Sequence, residues 1–352
     1  VSGAIAIGGP GAVFWMWISA LLGMGTKFAE VTLAVHFREK NAKGDYVGGP
    51  MYYIKNGLGK NWTWMAFLYA IFGICAVFGT GNATQVNTIT ASINAALVNF
   101  NVLTPEGTAI SNWVIGILVC IVVALILIGG VKRIGRVTEK LVPVMALLYI
   151  VLGIGLIVMR LDRIPAVFGA IFQGAFNPSA VTGGVVGSMF ISMTKGVSRG
   201  IFSNEAGLGT GSIAHACADT QEPVKQGMFG IFEVFTDTII ICTLTGVTLT
   251  TCIMAHDHIT TADGELLTYA SFATLGGFGS AMLTISLAAF VVSTVLGWSY
   301  FGERALEYLG GRRLIYPYRV LWIIVVYLGC TIPKSSIVWN FADLANGLMA
   351  LP

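Results

Sequence analysis

The sequence is poor in charged residues. Only 11% of its 352 residues are Asp, Glu, Lys or Arg, whereas soluble globular domains contain about 25%. The hydrophobic share is 55%, so the chain has too few charged side chains to cover a surface that faces water. This balance excludes an ordinary soluble domain and indicates a membrane protein.

Several enzyme signatures are also missing. The sequence has no H-E-x-x-H zinc motif and no Walker phosphate-binding loop. Its six cysteines form no C-x-x-C pair, and only four histidines are present. His256 and His258 stand in a predicted external loop without further histidine ligands nearby. We therefore predict that the protein is not an enzyme, holds no cofactor and does not use ATP. The small net charge of +3, spread over the loops, does not indicate nucleic acid.

Glycine and long apolar segments are abundant instead. Forty-four glycines are present, and glycine lets helices approach closely inside a bilayer. A spanning helix needs about 20 mostly apolar residues, and eight segments reach that length: Ala12 to Phe37, Trp62 to Leu97, Trp113 to Gly129, Leu141 to Met159, Gly183 to Cys217, Gln226 to Cys252, Phe278 to Tyr300 and Leu314 to Ile332. Shorter apolar stretches lie at both ends, Val1 to Gly9 and Ser336 to Pro352. We expect the chain to be truncated at both ends, with some membrane segments missing.

The basic residues predict the orientation. If the first long segment runs toward the cytoplasm, the cytoplasmic loops hold fourteen of the twenty Lys and Arg residues and the opposite loops hold three, Arg160, Arg163 and Lys334. The remaining three, Lys27, Lys195 and Arg199, stand in spans. Positive residues accumulate on the cytoplasmic side of membrane proteins. The sequence therefore predicts a plasma-membrane protein of this orientation.

The number of elements predicts an internal symmetry. Eight long and two partial segments form two sets of five, and five is odd, so the second set must be inverted in the membrane. Inverted repeats are typical of transporters. We predict one transmembrane domain with repeats at residues 1–160 and 182–352. Short apolar patches in corresponding loops, Met51 to Ile54 and Leu266 to Leu275, agree with this, although two unrelated surface helices would give the same pattern.

One predicted helix is interrupted. The segment from Gly183 to Cys217 contains many glycines together with Lys195, Arg199 and Glu205. Non-helical backbone at membrane depth is tolerated only where protein surrounds it or it lines a cavity. We predict a break at about Phe202 to Gly209, of the kind that binds substrates in transporters. The alternative is a helix that ends near Gly200 and continues as a cytoplasmic loop.

Four motifs resemble a known family. They are GGPGAVFWMWISALLG at residues 8–23, GTKFAE at 25–30, GGPMYYI at 48–54 and GIFSNEAGLG at 200–209, and they are similar to the signatures of the alanine or glycine:cation symporter family. The resemblance covers essentially the whole chain. It implies an all-α polytopic membrane protein with a LeuT-like five-plus-five inverted-repeat core. It also implies sodium, sometimes proton, as the coupling ion and a small neutral amino acid, alanine or glycine, as the substrate. The family usually has a break in its first helix, and this chain begins after it.

Five residues are predicted to bind the substrate. Gln85 lies among polar residues on a helix that the resemblance places against the substrate, where its amide suits an ammonium or carboxylate; interhelical hydrogen bonding is the alternative. Phe202 and Ser203 offer carbonyls at the break, and Gly207 leaves room for a methyl group, although a glycine-permitted turn explains all three equally. Trp298 walls the pocket, or else packs in a core or at the interface.

Two adjacent hydroxyl residues are predicted to bind sodium. Ser293 and Thr294 lie in the apolar segment in which LeuT-like transporters place sodium ligands, and a hard cation takes oxygen ligands. Mid-helix hydroxyls also bond back to a carbonyl one turn earlier, which is the alternative.

Charged residues inside the spans are expected to be paired, and a proton relay is the alternative. Glu30 is three residues after Lys27 and could pair with it on one helix face. Glu233 and Asp237 are like charges and need partners from another helix. Asp343 stands alone in the last segment. The functional hypothesis is sodium-coupled symport of alanine or glycine. The alternatives are a proton-coupled or uncoupled exchanger on the same fold, and a membrane subunit or enzyme that transports nothing.

Overall fold

The computed structural model of the chain describes residues 1–177, 189–332 and 335–350. These residues are predominantly helical. The α-helices are α1 (Ser2–Gly8), α2 (Ala12–His36), α3 (Pro50–Tyr53), α4 (Thr63–Phe78), α5 (Thr84–Asn99), α6 (Thr108–Ile128), α7 (Gly130–Val158), α8 (Ile164–Phe176), α9 (Met189–Asn204), α10 (Thr210–His215), α11 (Pro223–Val234), α12 (Thr243–Ala255), α13 (Leu267–Ala273), α14 (Gly276–Gly310), α15 (Ile315–Thr331) and α16 (Ser335–Met349).

The described part of the chain contains seven helical segments that are long and apolar enough to cross a membrane. They are Ala12–His36, Lys60–Asn99, Pro105–Ile128, Gly130–Val158, Pro223–Ala255, Gly276–Gly310 and Arg312–Thr331. Seven of the eight predicted spans are thereby confirmed as long helices, and the chain is an all-α polytopic membrane protein. The eighth, from Gly183 to Cys217, contains the shorter helices α9 and α10. Its first residues, 183–188, lie outside the described ranges.

Two of the long segments contain a turn of π-helix. Gly79–Ala83 joins α4 to α5, and Phe235–Cys242 joins α11 to α12. A π-turn inserts an extra residue into an α-helix, changes the face that the following side chains present, and occurs frequently at functional sites. Both turns lie in stretches that carry polar side chains within an otherwise apolar helix.

The connections contain short elements. The apolar patch at Met51 to Ile54 is helical, as α3 and the π-turn Ile54–Leu58, and the patch at Leu266 to Leu275 contains α13. Two features are absent from the sequence prediction: the helix α8 and a small antiparallel hairpin of β1 (Glu39–Lys40) and β2 (Tyr46–Val47). Strands of two residues and an apolar helix of 13 residues are too short to be identified as spans.

One compact unit comprises residues 1–29, 147–207 and 227–283. Its helix α1 packs against α9, and α8 packs against α9 and α12. Glycines permit close approaches here. A Cβ atom on Gly11 would lie 2.2 Å from the Ala175 nitrogen, and one on Gly196 would lie 2.4 Å from the carbonyl oxygen of Ala12. In lipid, where apolar contact with the solvent costs nothing, such close backbone packing holds helices together.

The other compact unit comprises residues 30–146, 208–226 and 284–352. Its helix α15 packs against α6, and α16 packs against α4 and the adjoining π-turn. A core of buried apolar side chains, which includes Val86, Leu127, Val295, Trp298 and Trp322, fills this unit. Each compact unit takes segments from both predicted repeats. The compact units are therefore a different division of the chain, and the repeats at 1–160 and 182–352 stay a prediction.

Candidate functional site

A helix break separates α9 from α10. The helix α9 ends at Asn204. Its last helical hydrogen bond runs from the Glu205 amide to the Ile201 carbonyl at 2.8 Å. Glu205, Gly207 and Gly209 then have φ angles of 57°, 92° and 74°, in the left-handed region that a continuing α-helix excludes. The helix resumes at Thr210. The predicted break is thus present, and the alternative of a helix that ends near Gly200 is wrong.

The break is shorter than predicted. Phe202 and Ser203 lie in the last turn of α9, because hydrogen bonding of the helix continues to Glu205. The reversal itself spans residues 205–209. The division between the two compact units falls within it, after Gly207.

A buried lysine lies at the end of α9. The side chain of Lys27, on α2, is fully buried, and its ammonium donates to the Asn204 carbonyl oxygen at 3.1 Å. Glu233 of α11 lies 3.6 Å from the same ammonium. The partners that the structure shows for Lys27 thus come from α9 and α11, and its pairing with Glu30 stays a prediction. The ammonium turns toward a helix end, where carbonyls that lack helical partners concentrate negative charge.

Asn204 links the break to the π-turn of the segment Pro223–Ala255. Its side-chain oxygen accepts from the Ala206 amide at 3.0 Å and its side-chain nitrogen donates to the Thr238 hydroxyl at 3.0 Å. Thr238 donates to the Asp237 carboxylate at 3.0 Å. Asn204 and Thr238 are buried, and the sequence prediction missed both. The signal was available, since an asparagine inside an apolar helix needs a partner from another element.

The carboxylates of α11 and its π-turn have partners from other helices, as predicted. Glu233 has Lys27 of α2, and Asp237, which accepts from Thr238, lies near Ser203 of α9. Ser203 also lies 3.3 Å from the Cys242 sulfur. We call Lys27, Ser203, Asn204, Glu233, Asp237 and Thr238 the break cluster. It lies entirely within one compact unit.

The two remaining predicted residues near the break have different surroundings. The guanidinium of Arg199 lies 5.5 Å from the centre of the Phe202 ring, a cation–π contact one turn apart on α9. Gly207 is exposed, and no atom lies within 4 Å of the position that a Cβ would occupy. Its φ angle of 92° is one that a side chain would oppose.

The second half of the break is anchored in the other unit. The Tyr69 hydroxyl donates to the Leu208 carbonyl at 2.7 Å. Arg38 donates to three alternate carbonyls beyond α10, those of Ala216 at 3.0 Å, Ala218 at 2.7 Å and Thr220. A guanidinium carries five donors in a rigid fork, so one side chain satisfies the end of this half-helix and the loop that follows.

The loop between α2 and α3 forms a charge cluster with the π-turn Ile54–Leu58 that follows α3. Lys55 and Asn56 each donate to the Glu39 carboxylate at 2.9 Å. Burial acts to raise the pKa of Glu39, but the hydrogen bonds from Lys55 and Asn56 outweigh it and hold the pKa below its ordinary value. This loop lies outside the spanning segments.

Gln85 lies directly after the π-turn of the segment Lys60–Asn99. Its side-chain nitrogen donates to the Thr80 carbonyl at 3.1 Å, and the Thr84 hydroxyl donates to the same carbonyl at 2.8 Å. The π-turn thus directs two side chains at one backbone oxygen. Asn82, also in the turn, is fully buried and donates to the Trp322 carbonyl at 3.0 Å. The predicted substrate role of Gln85 stays a prediction.

Trp298 packs closely on this π-turn. It is 4% exposed and belongs to the apolar core of its unit. A Cβ on Gly81 would lie 2.2 Å from Trp298 side-chain atoms, so only glycine fits beneath the indole. This close packing favours the alternative reading of Trp298, a core residue rather than a wall of the pocket. Its substrate role stays a prediction.

The predicted sodium ligands lie one helical turn before Trp298 on α14. Ser293 donates to the Phe290 carbonyl at 2.8 Å, which is the back-bonding that was the alternative. A hydroxyl that donates its hydrogen in this way still has oxygen lone pairs for a cation. Thr294 is half-buried beside it. Their sodium role stays a prediction.

The predicted site residues divide between the two units. Phe202, Ser203 and Gly207 belong to the unit that contains the break cluster. Gln85, Ser293, Thr294 and Trp298 belong to the other, where Gln85 and Trp298 both lie at the π-turn Gly79–Ala83 or pack against it.

Comparisons with known proteins bear on the class of this site. A sequence profile of the sodium:alanine symporter family matches residues 1–352. The chain is 41% identical over 358 residues to the sodium/alanine symporter AgcS of Methanococcus maripaludis, which covers 100% of this chain and 75% of that protein. It is 42% identical over 355 residues to an uncharacterized transporter of Haemophilus influenzae, with the same coverages. It is 35% identical over 353 residues to the amino-acid carrier protein AlsT of Bacillus subtilis, which covers 99% of this chain and 70% of that protein.

Proposed function

This chain belongs to the sodium:alanine symporter family, and from that premise we propose that it carries alanine or glycine across the membrane together with sodium, by alternating access. It is a multi-pass protein of the cell membrane and a transporter rather than an enzyme. The name of its relative AgcS supports both sodium and alanine. The resemblance of its motifs to the same family supports a LeuT-like arrangement of two inverted repeats.

The observation that carries the proposal is the break between α9 and α10. The carbonyl end of a helix bears about half a negative charge and attracts cations. In this protein it receives an ammonium, that of Lys27, at 3.1 Å. The α-ammonium of an amino acid is the same chemical group, so the last turn of α9, with Phe202 and Ser203, suits it chemically. A small side chain suits the open position at Gly207.

In this proposal the sodium gradient supplies the energy, and alternating access couples it to the movement of the amino acid. In the proposed cycle, sodium and the amino acid bind together from one side and are released together on the other side. The empty protein then returns to its first conformation. Hydroxyl and carbonyl oxygens are the ligands for sodium, as they are for other hard cations, and Ser293 and Thr294 offer hydroxyls. The contribution of Gln85 is an amide that orients the substrate.

Uptake of labelled alanine into proteoliposomes tests this function. An inward sodium gradient should drive accumulation above the external concentration, and replacing sodium by potassium should abolish it. A proton gradient without sodium is the second arm, and alanine counterflow without any gradient is the third. Accumulation driven only by protons would replace sodium symport by proton-coupled transport. Counterflow that no gradient alters would replace it by uncoupled exchange.

Substitutions test the site separately. Gln85→Leu should raise the KM for alanine by roughly tenfold to a hundredfold, the value of a hydrogen bond to a charged group. Gln173→Leu, at an exposed position on α8, is the matched control and should leave the KM unchanged.

The sodium ligands need a different readout. The double variant Ser293→Ala/Thr294→Ala should raise the sodium concentration for half-maximal uptake more than the KM for alanine. Thr138→Ala is the control, because Thr138 bonds back to the Ile134 carbonyl at 3.0 Å as Ser293 does to Phe290. An equal effect of both changes on sodium dependence would remove these hydroxyls from the sodium site.

A further inference from the structure

We propose that the end of the α6–α15 helix pair at which α7 begins binds the headgroup of an anionic phospholipid. The site lies in one compact unit and is separate from the break. It does not depend on the proposed transport function.

The geometry of the helix pair brings the site together. Cys120 of α6 contacts the Ile323 carbonyl of α15 at 3.4 Å, and a Cβ on Gly130 would lie 4.0 Å from the Arg319 guanidinium. From Cys120 toward Gly130 the residue numbers rise, whereas the residue numbers of the contacted positions on α15 decrease from Ile323 to Arg319. The two helices are therefore antiparallel. The start of α7 and the start of α15 therefore lie at the same membrane end.

Basic side chains accumulate at this end. Lys132, Arg133 and Arg136 are exposed in the first two turns of α7, and Arg313 is exposed just before α15, next to the half-buried Arg312. We call these five residues the basic edge. Among the described residues, none of the five takes part in an ion pair, although Arg133 donates to the Leu125 carbonyl at 2.9 Å.

The neighbouring charges do not neutralise the basic edge. Arg319 is paired with Glu303, with a 3.0 Å bond from its guanidinium, and Arg304 is paired with Glu307. Glu139, exposed on α7, is the one carboxylate within a turn of Arg136 on that helix. Five positive charges against one negative charge leave a strong attraction for an anion.

An exposed apolar surface continues from the basic edge. On α6, Leu125 is 58% exposed and Ile128 is 76% exposed; on α15, Tyr316 is 78% exposed and Val320 is 60% exposed. These helices are among the segments that are long and apolar enough to cross the membrane. A phospholipid has the same order of parts, an anionic headgroup above apolar chains. A soluble anion matches only the charge, and so the surface favours a lipid.

The predicted orientation supports the same ligand. The basic edge lies on the predicted cytoplasmic side, where anionic lipids attract basic residues next to membrane helices. Basic pockets between helices on that side bind anionic headgroups. We therefore assign the site to a lipid with a phosphate headgroup and a net negative charge, such as phosphatidylglycerol.

Lipid binding to the purified full-length chain in detergent tests the proposal. Bound lipid is counted by native mass spectrometry, and the thermal unfolding midpoint is followed as phosphatidylglycerol or phosphatidylcholine is added. Phosphatidylglycerol should bind and raise the midpoint, and phosphatidylcholine should do so much less. Glycerol phosphate, which carries the headgroup charge without the chains, should have no such effect.

Charge-removing variants locate the site. The triple variant Lys132→Gln/Arg136→Gln/Arg313→Gln should weaken phosphatidylglycerol binding by roughly a hundredfold, from the contribution of three basic residues near an anionic surface. Arg133 is retained because it caps α6. The control Lys40→Gln/Lys43→Gln/Lys225→Gln removes three exposed lysines from the same predicted side.

Three results would overturn the proposal. They are equal binding of phosphatidylcholine, equal loss of binding in the control triple variant, and full binding of glycerol phosphate alone. Because the assay measures lipid and not uptake, a failure of sodium-coupled transport would leave its outcome unaffected.

Discussion

Removal of the Lys27 ammonium is the sharpest test of the break cluster. Lys27→Met keeps most of the length of the side chain and removes its charge and its donors. The Asn204 carbonyl and the Glu233 carboxylate then lose the cation that lies 3.1 Å and 3.6 Å from them. Both the stability of the protein and the geometry of the break should suffer.

The loss can be worked out from the burial of the two partners. The carbonyl faces a fully buried ammonium, and a buried acceptor left without a donor costs about 1–3 kcal/mol. The Glu233 side chain is 45% exposed, so its charge is largely solvated and the ion pair adds only about 0–1 kcal/mol. The expected destabilisation is therefore about 1–4 kcal/mol. This is smaller than the about 5–15 kcal/mol of a typical fold, and the variant should still fold.

Thermal unfolding and uptake by the same preparations measure the two effects. Lys27→Met should unfold at a lower temperature and show a raised KM for alanine, because the end of α9 is no longer held. Lys225→Met, at an exposed position, is the control and should change stability by less than about 0.5 kcal/mol. Lys27→Arg, which keeps the donors, should recover part of both losses.

A double variant separates the carbonyl from the ion pair. In Lys27→Met/Glu233→Gln, removal of the second charge can recover only the small ion-pair part, about 0–1 kcal/mol. Full recovery would mean that the carboxylate, not the Asn204 carbonyl, is the main partner. An unchanged stability and KM in Lys27→Met would refute the role of Lys27 at the break altogether.

Three further predictions concern other parts of the molecule. Gly207→Ala should impair uptake and cost about 1–2 kcal/mol for its left-handed backbone, whereas Gly59→Ala, with a similar φ of 86° and equally open surroundings, should cost stability alone; equal uptake in both variants would count against the break. Gly81→Ala should lower the unfolding midpoint because its methyl group meets Trp298, and Gly81→Ala/Trp298→Phe should restore part of it; no recovery would locate the strain elsewhere. The lowered pKa of Glu39 contributes stability that is present above the ordinary pKa of 4.5 and is lost as pH falls through the lowered value. Glu39→Gln should therefore make the unfolding midpoint fall less steeply as the pH is lowered through this range. An unchanged pH dependence would contradict the prediction.

The class of the protein and its long helices could be predicted from the sequence. Length and hydropathy are properties of a continuous segment, and lipid requires that every backbone group in such a segment bond within its own helix. The left-handed turn at Gly207 and Gly209 could also be anticipated, because the clustered glycines and charges exclude one continuous lipid-facing helix.

The partners of the buried polar groups were decided by the tertiary structure alone. Spacing along the chain offers Lys27 only the nearby Glu30, yet its ammonium donates to the Asn204 carbonyl, 177 residues along the chain. No local pattern encodes this choice, since it depends on which helix end comes within reach of the ammonium. The same reason explains the packing of Trp298 on Gly81, which spacing along the chain does not reveal. The sequence by itself determined which polar side chains must be buried. The packing of the helices determined which groups those side chains contact.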